Sequence, residues 1–229
     1  MTAPGRPQRE FRSAQHEGTA VTAPIALTMG DAAGVGPECI ARAFVAGQAP
    51  GCIVVGDVGV MRRASALLAR PAVVARVESP ADLAAVPPGC IPVLEPAGLA
   101  PGLDRLPWGR IDARAGGSAA RCIEAAVRLV QAGAASAVVT APIHKEALAA
   151  AGIGFPGHTE MLQALTRVDD SEPPPVRMML ANDELRVVLV TIHLSLRRAI
   201  DAITFDAVLQ TLRIAHAAAA AWGQAAPRI

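Results

Sequence analysis

Short apolar runs alternate along the chain with stretches whose apolar residues recur at helical spacing. That alternation predicts helices packed on a mainly parallel sheet. Residues 25–29 (IALTM) predict a first strand, followed by a glycine-rich loop and a helix starting near Pro37, a residue suited to a first helical turn. Residues 52–56 (CIVVG) predict a second strand, 58–70 a helix and 72–77 another strand. From 79 to 117 Pro and Gly are frequent and periodicity is lost, which predicts strand ends and long surface loops. Ala119, Ile123, Ala126, Val127 and Val130 then make one stripe of a helix over 118–132. Residues 136–140 (SAVVT) predict a buried strand, and Pro142 the opening of a short helix. Strands at 176–181 and 185–190 flank Asn182-Asp183-Glu184, a tight-turn sequence. Thr204 is placed to cap a helix with Phe205, Val208, Leu209 and Leu212 on one face, His216 being read as a partly buried core residue.

A composition shift near residue 150 sets the expected organisation: a disordered tail over 1–22, a first α/β domain over 23–150, and part of a second over 151–229. No internal repeat of solenoid length is visible. The chain stops at Arg228-Ile229, where such a pair after a long helix would begin a new strand, so the sequence is expected to be cut short.

Composition narrows the classes. At 229 residues and 52% hydrophobic, the chain can bury a core without disulfides. Cys39, Cys52, Cys90 and Cys122 form no CxxC pair, which fits reduced thiols rather than a zinc ribbon or redox dithiol. Basic and acidic residues number 21 and 20, for a net charge of +1, so there is no electrostatic footprint for nucleic acid or membrane. Aromatics at 3%, with no Tyr, argue against base-stacking platforms. No run is apolar enough to span a bilayer, and Arg6, Arg9 and Arg12 lack the apolar stretch a signal peptide carries behind them. A soluble, cytoplasmic protein is expected.

Four segments carry candidate chemistry. The first, residues 30–38 (GDAAGVGPE), joins strand to helix; its glycines allow close backbone approach to a ligand, and the helix start offers free N–H groups. It is not GxGxxG, and Asp57 is only a loose match to a ribose-reading acid; taken alone, the segment is a weak sign, and a tight turn capped by Asp31 is the simpler account. The second, residues 140–145 (TAPIHK), puts His144 and Lys145 at a strand's carboxyl end, where open α/β sheets gather their sites. Anion binding or proton transfer, or a solvated helix start, are both open there. The third, residues 155–160 (FPGHTE), delivers His158, Thr159 and Glu160 from a Pro-Gly turn, donors and acceptors together. The fourth, residues 191–197 (TIHLSLR), places His193 after an apolar strand as a metal ligand whose companions lie far off in sequence.

Taken in this order, with residues 178–187 (MMLANDELRV), these segments resemble the 4-hydroxythreonine-4-phosphate dehydrogenases of pyridoxal 5′-phosphate biosynthesis, from about residue 25 to 229. Ala32 and Ser195 stand where that family usually has Pro, which bears on loop stiffness only. The resemblance implies two α/β/α domains of the isocitrate/isopropylmalate dehydrogenase type, the second incomplete here, in a homodimer. It implies NAD- or NADP-dependent oxidation and decarboxylation of 4-phosphohydroxy-L-threonine to 3-amino-2-oxopropyl phosphate. On it His158 and Thr159 match the substrate-binding pair and His193 one of three histidines on a divalent metal (zinc, magnesium or cobalt), with Asp31, His144 and Lys145 lining the site. The other metal histidines and the nicotinamide pocket are expected beyond Ile229, so residues 1–229 alone are expected to be inactive. Two alternatives stand: a relative oxidising a sugar-acid phosphate or an aromatic dihydrodiol, or a non-catalytic fragment that dimerises.

Overall fold

The computed structural model describes residues 23–167, 172–182, 184–221 and 226–229. The expected tail over 1–22, with His16, and Asp183 of the expected turn lie outside the described residues. The chain divides into two compact units, one ending at His158 and one spanning Thr159–Ile229.

The first unit is an α/β sandwich. Strand β1 (Ile25–Thr28) leads to α1 (Gly36–Val45), β2 (Cys52–Val55), α2 (Val58–Ser65) and β3 (Val74–Val77). After a 3-10 turn over Pro80–Ala85 come β4 (Ile91–Leu94), a second 3-10 turn over Leu103–Arg105, α3 (Ala113–Gln131), β5 (Ala137–Thr140) and α4 (Lys145–Ala150). All five strands are parallel, in the order β3-β4-β2-β1-β5. Every residue of β2 is buried, so both sheet faces are covered. This is why CIVV reads as a continuous apolar run rather than an alternation. The core gathers Met29, Val54, Val55, Met61, Ile91 and Val93.

The structure departs locally from these expectations at β4, α3, α2 and α4, and β5, expected to be buried, is partly exposed. Strand β4 lies inside a stretch expected to be loop; its second residue is Pro92, which has no N–H to give the ladder and so argues against a strand. Helix α3 starts at Ala113, capped by the Asp112 side chain on the Arg114 N–H (2.8 Å), five residues before its expected start. The pair Gly116-Gly117 hid that first turn. A Cβ on Gly116 would overlap the Ala147 carbonyl and come within 2.7 Å of the Leu148 nitrogen, so glycine is what lets α3 and α4 touch at backbone distance. Helix α2 ends at Ser65 rather than 70. The helix expected from Pro142 begins at Lys145, because the Pro142 carbonyl instead accepts from the Asp31 N–H (3.0 Å).

The second unit begins in α5 (His158–Leu165) and contains β6 (Met179–Ala181) and β7 (Arg186–Val188), paired antiparallel with Leu180 opposite Val187. Asn182 closes the hairpin: its Oδ1 accepts from the N–H groups of Glu184 (2.9 Å) and Leu185 (2.7 Å). Two helices follow, α6 (Leu196–Ala202) and α7 (Phe205–Ala221), the second capped as expected by Thr204 Oγ1 on the Ala207 N–H (3.2 Å). Arg177 reaches from ahead of β6 to Thr211 Oγ1 (2.8 Å), which in turn donates to the Ala207 carbonyl. The inward face of α7 therefore carries Thr211 and Ala219; Phe205 and Leu212, expected on a packed face, are exposed. His216, read as partly buried, is also exposed. Among the described residues no helix is long and apolar enough to cross a membrane.

Candidate functional site

The strand order fixes where a ligand would sit in the first unit. From β1 the chain winds out through β2 to β3 and β4, then returns to lay β5 on the other side of β1. Connections leave in opposite directions at the β1/β5 boundary, and such switch points open a crevice at the carboxyl ends of the strands. Two of the candidate segments meet there, and a residue of a third.

From β1 comes the loop over 30–36. Gly30 has φ +73°, and a Cβ on it would overlap the Pro142 carbonyl oxygen. Gly36 is equally constrained, its Cβ position lying 2.7 Å from the Met29 carbonyl oxygen and 3.0 Å from the Ala141 Cβ. Asp31, 6% exposed, accepts the Ala33 N–H on Oδ1 (2.7 Å), and its carbonyl accepts from Gly34 (3.0 Å). It closes the turn instead of capping α1, whose cap position is Val35 with no side-chain hydrogen bond. From β5 comes the segment over 141–145: the Ala141 N–H donates to the Thr28 carbonyl (3.2 Å), and His144 occupies the cap position of α4. The side chains of His144 and Lys145 are exposed.

His158 completes this edge. Burial pushes its pKa below the ordinary 6.5, and the Ala141 carbonyl, which favours the charged form, does not overcome that. Its Nε2 is buried and has no hydrogen-bond partner among the described residues. Thr28 Oγ1, at the carboxyl end of β1, is likewise buried without a partner. Orphaned buried polar atoms are uncommon because each forfeits about 1–3 kcal/mol of hydration. Two such atoms lie toward the carboxyl end of this sheet, on Thr28 of β1 and on His158 beside Ala141.

Farther along the edge the character changes. Asp57, after β2, caps α2 by accepting from Val60 (2.7 Å), while Glu95, after β4, accepts from Val58 (3.0 Å). Burial first, then the neighbouring Glu95 and Asp104 charges, raise the Asp57 carboxyl above its ordinary 3.8. Asp57 is therefore a helix cap, and the N–H groups of that helix start are already taken. Cys122 beneath is fully buried, and burial, with the Asp57 and Glu95 carboxylates, drives its thiol far up, so it stays protonated.

Thr159 and His193 belong to the second unit. His193 does not end a strand: it follows Val188, the last residue of β7, by five positions. Its side chain is exposed, and its backbone has φ 55°, a left-handed conformation uncommon outside glycine. Among the described residues no three His, Cys, Asp or Glu side chains come together to hold a metal. The residues described thus do not make up a divalent-metal site, and His193 offers one ligand.

One residue behind the loop over 30–36 carries no mark in the sequence. Arg63 of α2 donates to the carbonyls of Ala32 (2.8 Å), Asp104 (2.7 Å) and Leu106 (2.7 Å), and its guanidinium lies 3.7 Å from the Trp108 ring centre. Nothing local separates it from Arg62 beside it; only its position on the inner side of α2 could have singled it out.

Residues 48–229 match the family model of the pyridoxal phosphate biosynthetic protein PdxA. A 4-hydroxythreonine-4-phosphate dehydrogenase of Beijerinckia indica is 44% identical over 210 residues, 90% of this chain and 59% of that protein. A D-threonate 4-phosphate dehydrogenase of Pectobacterium atrosepticum is 39% identical over 213 residues, 90% of this chain and 61% of that protein. The crystal structure of 4-hydroxythreonine-4-phosphate dehydrogenase from Klebsiella pneumoniae superposes with a TM-score of 0.76 at 36% identity, covering 86% of this chain and 58% of that one. The chain spans about three fifths of the length of the curated relatives it matches.

Proposed function

The chain belongs to the family of the pyridoxal phosphate biosynthetic protein PdxA, and from that premise we propose that it serves the NAD- or NADP-dependent oxidation and decarboxylation of 4-phosphohydroxy-L-threonine to 3-amino-2-oxopropyl phosphate. The observation that carries the proposal is the orphaned Nε2 of His158 at the β1/β5 crevice. Burial keeps that imidazole neutral near pH 7. With Nδ1–H toward the Ala141 carbonyl, Nε2 is an acceptor, suited to the hydroxyl of a hydroxy acid. Asp31, held by its own turn, keeps the opposite wall of the crevice in place.

The nicotinamide cofactor, when bound, accepts the hydride. The start of α2 does not fit its pyrophosphate, because Asp57 and Glu95 occupy those N–H groups. His193 is proposed as one ligand of a divalent metal completed by groups that the described residues do not supply, and no step is drawn through that ion. On this reading residues 1–229 bind substrate but do not turn it over. A homodimer is part of the same reading, supported by the apolar side chains left open on the second unit, Leu196 at 79% and Phe205 at 80% exposed.

A second substrate is favoured by a specific relative, the D-threonate 4-phosphate dehydrogenase. The two candidates are phosphorylated four-carbon acids that differ at C2, amino in one and hydroxyl in the other. Titrating each into residues 1–229 while following the His158 imidazole by NMR tests both. The resonance is expected to move with 4-phosphohydroxy-L-threonine at lower concentration than with D-threonate 4-phosphate. The reverse order transfers the assignment to the sugar-acid phosphate, and no movement with either refutes the crevice as the substrate site.

A further inference from the structure

We infer that Arg63 is a positioning residue for the β1/β5 crevice, acting from behind it; the inference rests on reading that crevice as the ligand site. The loop over 30–36 is turned by Asp31 but has no side-chain cap where it enters α1, so anchors from outside add to its hold. On the β5 side the anchor is the Asp31 N–H on the Pro142 carbonyl. On the other side two successive carbonyls are held, Ala32 by Arg63 Nη2 and Ala33 by the Gly109 N–H (2.8 Å). The segment over 103–109 that supplies Gly109 is itself fastened by Arg63, through the Asp104 and Leu106 carbonyls and the stack on Trp108. One guanidinium therefore joins α2, the 3-10 turn and the crevice loop.

The chemistry demands arginine. Three carbonyls on two separate segments and one ring face suit a planar fork with several donors, which the single point of a Lys ammonium cannot reproduce. Burial lowers the Arg63 pKa, and the Asp104 and Asp57 carboxylates work against that, so the charge is kept where it is needed. Its Nε is buried and has no partner among the described residues, a cost accepted for the placement of the two terminal nitrogens. Arg62, next in sequence and exposed, provides a control of equal charge.

Amide hydrogen exchange of residues 1–229, read by NMR, tests the inference. Arg63→Met removes three charge-assisted bonds. The amides of Asp31, Ala33 and Gly109 are expected to exchange at least about tenfold faster, while Val54 in β2 and Ile123 in α3 change less than about twofold. Arg63→Lys should fall between, and Arg62→Met should change nothing. Unchanged protection at Asp31, Ala33 and Gly109 in Arg63→Met, or an equal rise across β2 and α3, overturns it. Should Arg63→Met not fold, Trp108→Leu keeps the hydrogen bonds and is expected to give the same local pattern more weakly; a uniform rise or none overturns the inference. Titration with 4-phosphohydroxy-L-threonine separates the two readings. If His158 of the unaltered chain does not respond, the ligand reading fails while exchange still decides for Arg63. If it responds equally in the chain carrying Arg63→Met despite a loosened loop, the positioning role fails alone.

Discussion

Two adjacent glycines in α3 should respond to the same substitution with opposite signs. In a helix interior Gly→Ala ordinarily adds about 1 kcal/mol of stability through propensity. Gly117→Ala should realise most of it, because the new Cβ meets only the Ala151 Cβ at 3.6 Å, an ordinary contact. Gly116→Ala should not. Its Cβ would overlap the Ala147 carbonyl, and the obstacle is the backbone of α4, which cannot rotate aside like a side-chain tip. Overpacking of this kind costs about 1–3 kcal/mol, and with backbone as the obstacle the upper end applies, leaving a net loss of about 2 kcal/mol after the propensity gain. At about 2–4 °C per kcal/mol, Gly116→Ala should melt roughly 4–8 °C below the unaltered chain and Gly117→Ala up to about 4 °C above it. Urea unfolding of both variants beside the unaltered protein is the assay. A Gly116→Ala chain as stable as its parent, or a Gly117→Ala chain less stable than Gly116→Ala, would refute the close approach of α3 to α4.

His158 should titrate below 6.5. Its folded pKa is depressed relative to the unfolded chain, so stability is complete above about pH 6.5, declines as pH falls toward the folded pKa, and levels below it. His158→Asn should flatten that slope, and an imidazole titrating at or above 6.5 would contradict the burial argument. For Asp57 the raised pKa reverses the sign: stability is lost as pH rises from about 3.8 through the folded value. Asp57→Asn keeps a capping acceptor and removes the repulsion by Glu95 and Asp104, so at pH 7 stability should hold or rise by less than about 1 kcal/mol. A larger loss in chemical denaturation would mean the charge itself is needed. Asn182→Ala, which strips the hairpin of both turn bonds, should speed exchange of the Leu185 amide about fivefold or more; an unchanged rate would show the turn holding without it.

The residues that made the fold legible were those whose neighbours in sequence are also their environment. The four buried residues of β2 and the Thr204 cap could be read directly, since burial on both sheet faces and a local hydrogen bond leave local marks. Strand β4 and the first turn of α3 could not, because Pro92 and Gly116 break a propensity rule for reasons that lie in β3 and α4, distant in sequence. The buried face of α7 is set in the same way. Phe205 and Leu212 are the more apolar residues, yet the bonds of Arg177 select the side bearing Thr211. At the site, the segments carrying Asp31, His144 and His158 were visible as motifs. Their meeting at β1/β5 came from strand order, and Arg63 from a set of contacts that spans more than forty residues.

The two carboxylates at the head of α2 have one more consequence. They give the rim of the sheet an uneven charge: Asp57, Glu95 and Asp104 congregate above β2 and β4, offset in part by the Arg63 guanidinium, while beside β5 Lys145 is open to water. An anion approaching from solvent would thus be biased toward the β5 side, and that bias should weaken as added salt shortens the reach of the charges.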